Sequence, residues 1–92
     1  MAAALDLLGR RWALRIVWEL RLGRLGFRPL QDRCDGMSPS VLSQRLAELR
    51  EAGLVIREGD GTHRLTATGE QLAGLLTPVA EWAGRRAAGG EF

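Results

Sequence analysis

Residues 37–54 read Met-Ser-Pro-Ser-Val-Leu-Ser-Gln-Arg-Leu-Ala-Glu-Leu-Arg-Glu-Ala-Gly-Leu. Ser38 ahead of Pro39 is a strong helix start: a hydroxyl cap, then a proline whose missing N–H would be unpaired in the first turn anyway. Gly53 is the expected terminating glycine, so the helix should run to Ala52. On a wheel of about 100° per residue, Leu42, Leu46 and Leu49 fall within a narrow arc that must face a core. Ser40, Gln44 and Ala47 lie opposite, with Ser43 at one margin.

Upstream, Phe27 to Arg33 reads as a short helix with Pro29 in its first turn, followed by an Asp35-Gly36 turn. Trp12 to Leu22 is a further helix. Its Ala13, Ile16, Val17 and Leu20 recur at i, i+3, i+4 and i+7, and Gly23 and Gly26 end it. Ala2 to Leu8 is rich in Ala and Leu and reads as a first short helix, interrupted near Gly9. Downstream, Leu54–Glu58 and Thr62–Leu65 are extended runs around Gly59-Asp60-Gly61, a hairpin signal. Thr66 or Thr68 caps a last helix reaching about Arg85, which Pro78 should kink or interrupt. The order is helix, helix, short helix, helix, hairpin, helix. It predicts a mainly α fold with a small β-hairpin, the arrangement of a winged helix-turn-helix. Residues 1–86 form one such domain with a terminal dimerisation helix; 87–92 read as a flexible tail, in which Glu91-Phe92 has the look of a cloning remnant.

At 92 residues the chain suits one core. It is 46% hydrophobic and 26% charged, as ordinary globular proteins are. The net charge is +2, and all 13 basic residues are Arg. Arginine keeps its charge and makes bidentate bonds to phosphate or guanine, but a GC-rich genome also favours Arg codons. Charge therefore permits nucleic-acid binding without demonstrating it. The single cysteine, Cys34, excludes an internal disulfide and a cysteine-based zinc site. No secretion signal or spanning apolar run is evident, so a cytoplasmic location is expected. One His and one Cys on different elements, with no phosphate loop or ligand cluster, argue against an enzyme, a metal site or a cofactor.

From Leu5 to Trp82 the chain resembles the HxlR-type winged helix-turn-helix transcriptional regulators, related to the MarR group. The resemblance rests on five pieces in register. These are Leu5-Asp-Leu-Leu-Gly-Arg-Arg-Trp12, Phe27-Arg-Pro-Leu30, the run from Gly36 to Leu49, Gly53-Leu54-Val55, and Leu65-Thr66-Ala-Thr-Gly69. It implies a homodimer that binds a palindromic operator in double-stranded DNA. Two features depart from the family. The wing turns tightly at Gly59-Asp60-Gly61, and the cysteine that many members carry just before the first helix, used by some for redox sensing, is missing. A small-molecule inducer is compatible with the resemblance, although no residue pattern points to one.

Under this reading the helix from Ser38 to Ala52 enters the major groove and the 54–65 hairpin lies on the backbone or minor groove. Ser38, Ser40, Val41, Ser43, Gln44 and Arg45 are the candidate contacts on the helix. Gln44 suits a bidentate bond to adenine, and the helix N-terminus suits a phosphate. Arg45, at the edge of the apolar arc, reaches either a phosphate or a carboxylate such as Glu48 or Glu19. Arg57 and Arg64 are candidates on the hairpin; Arg28 and Arg11 are candidates beside the helix, with plain solvation the alternative for each. A winged-helix module that binds protein is the competing function, and the polar Ser40, Ser43 and Gln44 face argues against it. His63 and Cys34 read as packed residues rather than as a ligand and a reactive thiol. Leu72, Leu75, Leu76, Val79 and Trp82 on the last helix, with Leu5 and Leu8, read as a two-fold interface; the alternative is that the stripe folds back on its own core.

Overall fold

The computed structural model describes residues 2–90. Five α-helices are found among them: α1 (Ala2–Leu8), α2 (Ala13–Glu19), α3 (Phe27–Arg33), α4 (Pro39–Glu51) and α5 (Ala67–Ala88). Strands β1 (Val55–Arg57) and β2 (His63–Leu65) form the hairpin between α4 and α5. The fold is a winged helix-turn-helix, mainly helical with one two-stranded sheet.

α4 shows how local chemistry sets an element's ends. The Ser38 hydroxyl accepts the Val41 N–H at 3.2 Å, and Pro39 opens the helix. At the other end Gly53 takes the left-handed conformation, φ +77°. Gly53 N–H then donates to Arg50 O and Leu54 N–H to Leu49 O, both at 3.0 Å. This double closure satisfies the last carbonyls and turns the chain straight into β1. Leu42, Leu46 and Leu49 are buried as the wheel requires. Each contributes about 2 kcal/mol of transfer free energy.

The core joins these leucines to Ala13, Ile16, Val17 and Leu20 of the second helical segment, Leu30 of α3, Val55 and Leu65 of the hairpin, and Ala73 of α5. The α3–α4 turn is held by the Gln31 amide donating to Met37 O at 2.9 Å, with Asp35 and Gly36 both at positive φ. Arg15 ties α2 to the end of α3, donating to Arg33 O at 2.7 Å and pairing with Glu19 at 2.7 Å.

Four boundaries differ from expectation. The second helix starts at Ala13, because Trp12 sits just outside it at φ +79°. Its last turn, Leu20–Leu22, tightens into a 3₁₀ turn ahead of Gly23. α5 passes through Pro78 as a single helical span. The carbonyl that Pro78 leaves without an N–H belongs to Gly74, which is exposed, so water can replace the lost bond. α5 also continues to Ala88, into the stretch read as a tail, and Gly89-Gly90 form a turn. Glu91-Phe92 lie outside the described residues.

Leu25 adds an element that has no sequence signal. It pairs with His63 across β2, with Leu25 N–H donating to His63 O at 3.0 Å and His63 N–H to Leu25 O at 2.8 Å. The hairpin is thereby anchored to the segment between the second and third helices. Its own register is Val55 with Leu65, Ile56 with Arg64 and Arg57 with His63. In the turn, the Asp60 carboxylate accepts from the N–H of Thr62 at 2.9 Å and from its hydroxyl at 2.7 Å, which holds that acid below its usual pKa.

Candidate nucleic-acid interface

The helix-turn-helix unit is α3, the Cys34–Met37 turn and α4. Because Leu42, Leu46 and Leu49 are buried, Ser40, Ser43 and Gln44 are exposed on the outer side of α4. The side chains of Ser43 and Gln44 make no hydrogen bond among the described residues. Ser40 Oγ stands 3.4 Å from Ser38 Oγ, so these two hydroxyls cluster at the helix start. Val41 is half-buried and packs against the core, leaving only part of it to the outer face.

The arginines divide into two groups. Arg45 takes the carboxylate of the two readings open to it: its Nη1 donates to Glu48 Oε1 at 2.8 Å and its Nε to Arg11 O at 2.9 Å. Arg10 Nε lies 3.2 Å from Glu48 Oε2. Glu48 thus fastens the α1–α2 connection to α4. Arg64 is exposed on the hairpin but pairs with Glu58 and also donates to Leu65 O at 3.3 Å. Arg11, Arg28 and Arg57 are exposed and have no carboxylate within ion-pair distance among the described residues. Arg11 keeps its guanidinium 5.4 Å from the Trp12 ring centroid. These three remain available to an outside anion.

His63 is 4% exposed, and its Nε2 lies 3.1 Å from Arg50 Nη1. A guanidinium only donates, so Nε2 must accept and the ring is neutral, with its proton on Nδ1. Burial, followed by the nearby Arg50 and Arg57 charges, pushes the imidazole pKa below its usual 6.5. The unfolded chain therefore binds the proton more readily than the folded one. His63 stabilises the fold fully above about pH 6.5 and loses that contribution as pH falls through the depressed folded value. The urea midpoint should drop between pH 7.5 and pH 5, and His63→Phe should flatten that drop. Parallel pH profiles for the two proteins would show that another group governs it.

Cys34 is fully buried at the end of α3, and burial pushes its thiol up to about 11. It packs as a small apolar residue and not as a thiolate nucleophile.

The stripe on α5 splits. Leu72 and Leu76 are half-buried and pack against the core, whereas Leu75, Val79 and Trp82 are 71%, 56% and 49% exposed. Leu5 on α1 is also exposed, and Leu8 is half-buried. Between α1 and α5 runs a mainly apolar groove of about 510 Å³ that includes Leu7, Leu8, Leu54, Leu72 and Leu75. Among the described residues no cluster of metal-ligating side chains is present, and no helix is long and apolar enough to cross a membrane.

Comparison with known proteins agrees with this architecture. The HxlR-like helix-turn-helix family matches residues 7–89. The chain is 34% identical over 86 residues to the uncharacterized HTH-type transcriptional regulator YvaP of Bacillus subtilis, spanning 87% of this chain and 80% of that one. A possible HxlR family transcriptional factor from Thermoplasma volcanium superposes with a TM-score of 0.84 at 30% identity, covering 91% of this chain and 81% of the other. The quinone-bound YodB of B. subtilis superposes with a TM-score of 0.81 at 29% identity, over 92% and 94% of the two chains. The chain belongs to the HxlR-like helix-turn-helix family of transcriptional regulators.

Proposed function

We propose that this regulator binds a palindromic operator as a homodimer, with the Ser38–Arg45 half of α4 in the major groove and the hairpin on the flanking backbone or minor groove. The observation that carries the reading is the outer face of α4. Ser43 and Gln44 are exposed and have no side-chain hydrogen-bond partner among the described residues, on a helix whose opposite face is locked into the core. Short neutral side chains of this kind fit a groove about 12 Å wide and reach base edges. Arg11, Arg28 and Arg57 supply phosphate contacts around them, and Ser38 marks the positive end of the α4 dipole, which favours an anion.

Selection from a random duplex library should return a palindromic motif. Gln44→Ala should then weaken binding to that motif by about 1–3 kcal/mol and relax discrimination at one base pair. Equal affinity of the parent protein for the motif and a scrambled duplex would show that α4 does not read bases. Affinity should also fall steeply between about 50 and 200 mM salt as phosphate counterions are released. Affinity that ignored salt would favour a protein partner instead.

Dimerisation through α1 and α5 is supported by Leu5, Leu75, Val79 and Trp82, large apolar side chains that the folded domain leaves exposed on these two helices. The quinone-bound relative raises the matter of a bound effector. The buried Cys34 is not placed to react with one, so any effector of this chain would bind without using that thiol.

A further inference from the structure

A small cleft of about 250 Å³ lies between α3, α4 and the hairpin, lined by Phe27, Ser43, Leu46, Arg50, Arg57 and His63. Its composition is uneven in charge: two guanidiniums and a hydroxyl line it, and no carboxylate does among the described residues. Arg50 is aimed by His63 Nε2, which accepts from it at 3.1 Å and cannot neutralise it. Arg57 comes from β1, directly across the ladder from His63. Burial first, and then the charges of Arg50 and Arg57, hold the imidazole pKa below its usual value, so both guanidiniums act on the ring that faces the cleft. Phe27 and Leu46 give the cleft an apolar wall, which strengthens any charge-assisted bond made there.

We propose that this cleft is a binding site for a phosphate group, held by Arg50, Arg57 and the Ser43 hydroxyl. The source assigned is a DNA phosphodiester, and that assignment rests on the DNA-binding reading above. Ser43 joins the cleft to the outer face of α4, so a phosphate held here sits beside the bases that face would read. Arg50 is the new member: it belongs to neither the groove-facing half of α4 nor the hairpin. His63 acts as a positioning residue that holds the Arg50 guanidinium.

His63 is the only histidine in the chain, so its ring protons report on the cleft without ambiguity in an NMR titration. The groups that set its charge balance are Arg50 from α4 and Arg57 from β1; its other neighbours, Phe27, Leu46 and the paired Leu25 backbone, are uncharged. An anion between the arginines must therefore raise the titration midpoint. The expected result is an upward shift in inorganic phosphate at constant ionic strength against chloride, and the same shift on adding the selected duplex. Arg57→Gln should abolish both shifts, lower duplex affinity roughly tenfold, and reduce the salt slope by about 1. Arg50→Gln should act likewise, and the two losses should not add. A midpoint moved by phosphate but not by a bound duplex would overturn the DNA source and leave a free-anion site. A midpoint moved by neither, with salt-dependent duplex binding intact in both variants, would overturn the site while the DNA reading stands. A phosphate shift in a protein that binds no duplex would keep the site and remove the DNA reading.

Discussion

Gly69→Ala is expected to destabilise the domain by about 3 kcal/mol. Gly69 lies in the first turn of α5 and is buried against the chain between α4 and β1. A Cβ there would stand 2.1 Å from Leu54 O, 3.1 Å from Leu54 C and 3.2 Å from the Leu65 Cβ. The nearest of these is backbone and cannot swing aside as a side chain would. Leu54 O is also held from a second direction, since it accepts the Thr66 N–H at 3.0 Å. Thr66 Oγ1 in turn accepts the Gly69 N–H at 3.0 Å, so moving α5 outward would break its own cap. Small domains have a stability of about 5–15 kcal/mol, so the loss should lower Tm by roughly 12 °C or more.

Gly74→Ala is the control in the same helix. Gly74 is exposed, and nothing lies within 4 Å of its added Cβ. That substitution should stabilise the protein by about 0.5–1 kcal/mol, through backbone entropy and helix propensity alone. Differential scanning calorimetry on both variants checks the pair. A Gly69→Ala protein that melted with the parent would mean that the close approach of α5 to Leu54 is not a feature of the folded state.

Trp82→Arg is expected to have the largest functional effect. Trp82 lies on α5 with Leu75 and Val79, on the apolar arc that faces away from Ala73 and the core. It is about half exposed, so an arginine there should leave the fold intact while placing a charge in the apolar contact proposed above between two copies. Mass measured by light scattering should fall from dimer to monomer. Operator affinity should then fall about 100-fold or more, because binding the second half-site is no longer intramolecular. Far-UV circular dichroism should stay unchanged. A variant that kept the parent's mass would move the interface to another surface. One that turned monomeric yet bound the operator as tightly would show that a single half-site suffices.

Much of the fold was legible because its elements carry local signatures. Ser38-Pro39 and Gly53 mark the ends of α4, the leucine spacing assigns its inner face, and Gly59-Asp60-Gly61 marks the hairpin. Boundaries were less legible where a packed contact overrides propensity. Trp12 falls outside its helix in a left-handed conformation that no sequence rule assigns to a tryptophan. The Leu25–His63 pairing was invisible because a single bridge has no alternation to read.

The opening stretch, residues 37–54, shows where sequence stops and tertiary structure takes over. Caps and hydrophobic period depend on neighbours within a few residues, so the chain by itself determines that α4 exists, where it ends and which face is outermost. The standing of each arginine depends on partners far away in the chain. Arg45 is taken up by Glu48 and by the carbonyl of Arg11, 34 residues away; Arg50 is held by His63, 13 residues away; Arg57 is left open. A charge is free to meet DNA only if the fold has brought no carboxylate or carbonyl to it, and only the packed structure decides that.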